Sequence, residues 1–109
     1  MLYLSVLTVG ELEKGIARLA ASTRRTRLQS WLRRDLLRRF GHRLLPVDAR
    51  TAARWGVLTG ESENHGQPLP VIDSLIAATA LVHGLAVVTR NIGDFARCGA
   101  TCINPWQGA

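Results

Sequence analysis

Between Pro70 and His83 the chain carries one charge, Asp73, among Val71, Ile72, Leu75, Ile76, Ala77, Ala78, Ala80, Leu81 and Val82. A helix of that composition has no polar face to offer water, so it is expected at the centre of a domain. Pro70 or Val71 opens it and Gly84 stops it. Leu85-Ala86-Val87-Val88-Thr89 comes next, a short apolar strand of the kind found in a parallel sheet covered on both faces. A buried helix feeding such a strand restricts the chain to folds in which helices flank a parallel sheet.

The remaining segments agree with that restriction. Tyr3 to Leu7 reads as a strand, and Thr8 to Glu11 forms a T-x-x-E capping box that is expected to begin a helix. Val9, Leu12, Ile16 and Leu19 follow its helical period, and it is expected to end near Ala20–Ser22. A second helix is expected from Arg24 to Phe40, with Leu28, Trp31, Leu32, Leu36 and Phe40 as its buried stripe and Gly41 as its stop. Arg43 to Val47 reads as a strand, and Asp48 caps a helix from Ala49 to Glu63. Asn91 caps a brief helix through Arg97, and Thr101-Cys102-Ile103 is the last strand. The order β-α-α-β-α-α-β-α-β predicts a three-layer α/β/α sandwich with a mainly parallel sheet.

At 109 residues, with no repeat or linker, residues 1–109 are expected to form one domain. No window approaches the roughly 20 apolar residues of a membrane span, and no signal peptide is apparent. Cys98 and Cys102 form neither a disulfide framework nor a CxxC pair. These features lead to the expectation of a cytoplasmic protein with no membrane contact.

Residues 22–54 hold ten Arg against Asp35 and Asp48, whereas residues 55–109 hold Arg90 and Arg97 against Glu61, Glu63, Asp73 and Asp94. All the excess positive charge of the net +6 therefore lies in one segment. That segment is either a solvated helix face or a surface for an acidic partner such as nucleic acid, since the Arg fork suits phosphate. If it meets RNA, Arg33 and Arg34 are the residues expected to do so, together with Arg90.

Three acids stand out. Glu11, Asp73 and Asp94 are each expected in the first turn of a helix at or just after a strand's carboxyl end. Each has a local reading: Glu11 as the capping partner of Thr8, Asp73 as a complement to its helix dipole, Asp94 as a capping partner of Asn91. Taken together, they are expected on one sheet edge, where ligands of open α/β folds bind. Converging carboxylates call for a divalent cation, and hard oxygen donors suit Mg2+ or Mn2+. The histidines show no metal-ligand spacing, and no GxSxG, P-loop or GxGxxG is present.

Four stretches, in order, resemble the PIN-domain ribonucleases, and among them the VapC and FitB-like toxins of bacterial toxin–antitoxin pairs. They are Ser5-Val6-Leu7-Thr8-Val9-Gly10-Glu11-Leu12 with Glu13-Lys14-Gly15-Ile16, then Asp73-Ser74-Leu75-Ile76-Ala77-Ala78-Thr79-Ala80, then Thr89-Arg90-Asn91-Ile92-Gly93-Asp94-Phe95, then Ile103-Asn104-Pro105-Trp106. The resemblance implies a PIN-like fold and a Mg2+- or Mn2+-dependent endoribonuclease held by a small antitoxin. By motif position, Glu11, Asp73 and Asp94 would hold metal, and Asn91 would assist in orienting the attacking water. Its substrate would be RNA. Proteins of this kind begin with a central strand ending in L-D-T-N, whose Asp is the first metal ligand. The chain is expected to start after that strand, and a sheet lacking its central strand would expose edges that favour a homodimer or partner strands. The alternative reading is a non-catalytic remnant that still binds an antitoxin or RNA.

Overall fold

The computed structural model describes residues 2–89 and 91–105. It comprises two compact units, Met1–Pro46 and Val47–Ala109. The architecture is helix-rich α/β with small parallel sheets.

In the first unit, β1 (Leu4–Ser5) pairs in parallel with β2 (Leu44–Leu45), Leu4 opposite Leu44 and Ser5 opposite Leu45. Helix α1 (Val6–Ala17) starts directly from β1. Ser5, still extended, turns its Oγ to accept the Leu7 N–H at 3.1 Å, which makes it the N-cap. The expected start at Thr8 is thus displaced: Ser is at least as good a cap as Thr, and here the strand delivers it to the helix entrance. Thr8 becomes an interior residue and the capping box does not form. Val9 and Leu12 are half-buried and Ile16 is buried, as the helical period requires; Leu19 falls beyond the helix, which ends at Ala17 and not near Ala20–Ser22.

A second helical run follows as α2 (Thr23–Ser30), a π-helical stretch (Trp31–Leu36) and α3 (Leu37–Phe40). Its outer bounds match the expected helix within a residue. The π stretch, where the Leu37 N–H reaches back to the Leu32 carbonyl, changes the phase of the stripe. Leu32 is fully buried, but Trp31 is 42% exposed, contrary to the expectation that it packs inward. Gly41 ends the run with φ 49°, where a side chain would be strained. A 3-10 turn (Gly41–Arg43) then leads into β2. Arg43 braces this end, donating to the Leu2 and Arg39 carbonyls, each at 2.8 Å, with its guanidinium 5.1 Å over the Phe40 ring.

The second unit opens with α4 (Ala49–Asn64), capped by Asp48, whose Oδ1 accepts the Thr51 N–H at 2.9 Å. Helix α4 packs on α5 (Val71–His83). Helix α5 buries Ser74 and Ala77 to Ala80 and ends at Gly84 with φ 65°, as expected. The small residues bring α5 close to its neighbours, and Ser74 Oγ, buried at the crossing, accepts the Trp55 Nε1–H at 2.9 Å. Strands β3 (Val87–Val88) and β4 (Cys102–Ile103) pair in parallel around α6 (Ile92–Arg97). Ala77, Ala80, Val87, Phe95, Cys98 and Ala100 form the core. The strand was expected to be covered on both faces. Instead Val87 is buried while Val88 and its register partner Ile103 are 53% and 52% exposed, so within this pair only one face is covered. No helix among the described residues is long and apolar enough to cross a membrane.

Candidate functional site

Asp73 lies in the first turn of α5 and is half-buried. Asp94 lies in the first turn of α6, just after β3, also half-buried. Both positions are those the sequence indicates, and they follow from the helix starts at Pro70 and Asn91. Negative charge in a first turn is stabilised by the exposed N–H groups of the helix end.

Around Asp94 the geometry is specific. Asn91 Nδ2 donates to Asp94 Oδ2 at 2.8 Å, and Arg97 Nη1 approaches Asp94 Oδ1 at 3.3 Å. Asn91 precedes α6 but its side chain does not cap the backbone. It is directed to the carboxylate instead, and Thr89 Oγ1 accepts its N–H at 3.0 Å, which fixes the turn. Arg97 also donates to the Pro68 carbonyl at 3.1 Å, tying α6 to the segment before α5. Asn91 and Asp94 were expected to matter; the parts of Arg97, three residues beyond Asp94, and of Thr89 were visible in the spacing but were not expected.

Cys98 follows α6 directly and is buried. Its thiol is pushed above the usual cysteine range, first by burial, with Arg97 opposing and with Asp73 and Asp94 both adding to the rise.

Glu11 belongs to the first unit. Because α1 starts at Val6, Glu11 falls in the second turn and not the first, as was expected, and it is exposed. It makes no hydrogen bond or ion pair among the described residues. Its neighbour Glu13 does, receiving Arg33 Nη2 at 3.1 Å. Arg34 is exposed, and Arg90 lies outside the described residues. Among the described residues, no three His, Cys, Asp or Glu side chains are gathered so as to hold a metal ion between them. As a donor set, Asp73 and Asp94 still fit a hard cation. Mg2+ is commonly held by one or two carboxylates, with waters and substrate phosphate completing its shell.

Residues 1–100 match the PIN domain family. The chain is 38% identical over 108 residues to the VapC ribonuclease Y4jK of Sinorhizobium fredii, covering 99% of the chain and 77% of that protein. It is 36% identical over 105 residues to the toxin FitB of Neisseria gonorrhoeae, covering 96% of the chain and 76% of that toxin. The crystal structure of FitAcB from Neisseria gonorrhoeae superimposes with a TM-score of 0.90 at 36% identity, covering 97% of the chain and 76% of that structure's chain.

Proposed function

The chain belongs to the PIN-domain family, and on that premise we propose that it is a toxin-type, Mg2+- or Mn2+-dependent endoribonuclease. The relatives named as a ribonuclease and as a toxin support the class of activity. The observation that carries the reading for this chain is the pair Asp73 and Asp94, each half-buried in the first turn of a helix, on two helices that pack together.

In this reading Asp73 and Asp94, both of the second unit, would hold the cation. Bound there, the ion would lower the pKa of a water and offset charge on the scissile phosphate. Asn91 fixes the rotamer of Asp94 through the 2.8 Å bond, so one carboxylate face is kept in place. Arg97 keeps negative charge at Asp94 compensated while the site is open to water. Arg33, Arg34 and Arg90 would steer the RNA, whose phosphates are drawn to the Arg-rich segment at a distance. The products would carry a 5′-phosphate and a 3′-hydroxyl. A small antitoxin is the proposed inhibitor, and the proposed assembly is a cytoplasmic homodimer made of one domain per chain, since the family match runs through both units.

A second reading has one observation in its favour. Both oxygens of Asp94 already have protein partners, Asn91 and Arg97, as in a site that serves structure. On that reading the chain is a non-catalytic module for antitoxin or RNA. Incubating the folded chain with RNA in Mg2+, in Mn2+ and in EDTA separates the two. Cleavage confined to the metal-containing samples supports the enzyme. RNA or antitoxin binding with no cleavage under any of these conditions supports the module.

A further inference from the structure

Trp31 is 42% exposed at the point where α2 passes into the π-helical stretch, while the adjacent Leu32 is fully buried and anchors the backbone there. The Trp31 N–H bonds to the carbonyls of Arg27 and Leu28, which sets Arg27 one turn before it. Arg24 lies two turns before it, so the three positions share a face. Arg24 and Arg27 are exposed, and their guanidinium groups have no hydrogen-bond acceptor among the described residues. Between Ser22 and Val47 the sequence supplies one carboxylate, Asp35, against eight Arg. The face therefore carries two exposed cations without acceptors among the described residues, one turn and two turns before an exposed indole ring.

We infer that Trp31, with Arg24 and Arg27, forms a docking platform for single-stranded RNA, one base stacking on the indole while the two guanidinium groups meet phosphates. This rests on the ribonuclease reading above and adds to it a named RNA-docking surface on the first unit. The charge complementarity favours a polyanion. The exposed ring favours a polyanion with a π-face at every repeat, as RNA has and a run of Asp and Glu side chains lacks. Stacking needs a base free of its neighbours, so an A-form duplex, with its bases already stacked, gains only the phosphate contacts.

The test uses the full chain carrying Asp73→Asn, to suppress cleavage, and titrates it with a 12-nucleotide oligouridylate and with a 12-base-pair RNA duplex. Single-stranded RNA is expected to quench tryptophan fluorescence and the duplex to leave it unchanged. Trp31→Ala is expected to remove that quenching and weaken single-strand binding about 5- to 100-fold, with its salt slope kept. Trp31→Phe is expected to retain most of the affinity. Arg24→Gln with Arg27→Gln is expected to flatten the slope of log affinity against log salt by about 1.4, roughly 0.7 for each phosphate no longer neutralised. Equal single-strand affinity in the parent and Trp31→Ala, both folded by circular dichroism, would overturn the inference. So would quenching by poly-glutamate but not by RNA. The ribonuclease reading is tested separately by cleavage with Asp73 intact. Cleavage with no Trp31 dependence defeats this inference alone, whereas Trp31-dependent binding without cleavage defeats the enzyme reading alone.

Discussion

Asn91 Nδ2 sits 2.8 Å from Asp94 Oδ2, so the residue that opens α6 holds the carboxylate one turn into the same helix. This bond leaves the backbone N–H groups of the first turn without an Asn91 cap and assigns the amide to the acid instead. If Asp94 serves the reaction, Asn91 acts through it as a positioning residue. Asn91→Ala is expected to lower cleavage about 10- to 100-fold and to weaken Mn2+ binding by titration calorimetry, as loss of a carboxylate's supporting bond does. Unchanged cleavage and metal affinity in a folded Asn91→Ala chain would remove Asn91 from the site.

The Trp55–Ser74 bond offers a test of the packing between α4 and α5. Ser74 is fully buried, and its Oγ both accepts from Trp55 Nε1 and donates to the Val71 carbonyl at 2.9 Å. Ser74→Ala leaves the indole N–H without its acceptor at little change in volume. A loss of about 1–3 kcal/mol is expected in urea unfolding monitored by circular dichroism.

Cys98 gives a chemical probe of the same core. Its thiol is buried and its pKa raised, chiefly by that burial, so the reactive thiolate is scarce at neutral pH. Iodoacetamide at pH 8 is expected to label Cys98 slowly in the folded chain and readily in urea, as read by peptide mass spectrometry. A raised thiol pKa also means that the folded state resists losing this proton. Stability linked to Cys98 is present below the unfolded thiol's pKa and declines as pH rises through the folded value.

Charge reversal separates the two roles open to the basic segment. Arg33 is engaged with Glu13 in an ion pair whose side chains are 60% and 39% exposed, whereas Arg34 is exposed. A surface pair of that kind contributes roughly 0–1 kcal/mol, so Arg33→Glu with Arg34→Glu is expected to leave the fold intact. RNA binding by the double variant is expected to weaken and its salt dependence to flatten. An unchanged slope would assign these two residues to a solvated face.

Much of the fold could be read from periodicity and caps. Asp48 and Gly84 bound α4 and α5 as their side-chain and backbone chemistry dictates, and every observed strand pair is parallel. What the sequence obscured were choices between near-equal local options. Ser5 and Thr8 are both good caps, and which one acts depends on where β1 releases the chain. The π stretch leaves no mark in a count of apolar spacing, so Trp31 was expected inside. For the candidate site, Asp73 and Asp94 were legible because helix starts are legible. The Asn91–Asp94 pairing was legible, although as a capping pair; that the Asn91 amide would meet the carboxylate itself and that Arg97 would join it was not, because i,i+3 spacing on a short helix permits several hydrogen-bond patterns.

In the proposed reaction Asp73 and a divalent cation act together on RNA. The most direct measurement is the cleavage rate of a long single-stranded RNA by the folded chain and by Asp73→Asn, each in millimolar Mg2+ and in EDTA. Cleavage is expected from the parent in Mg2+, none in EDTA, and none above background for Asp73→Asn under either condition. Cleavage that persists in EDTA, or an Asp73→Asn chain as fast as the parent in Mg2+, would contradict it.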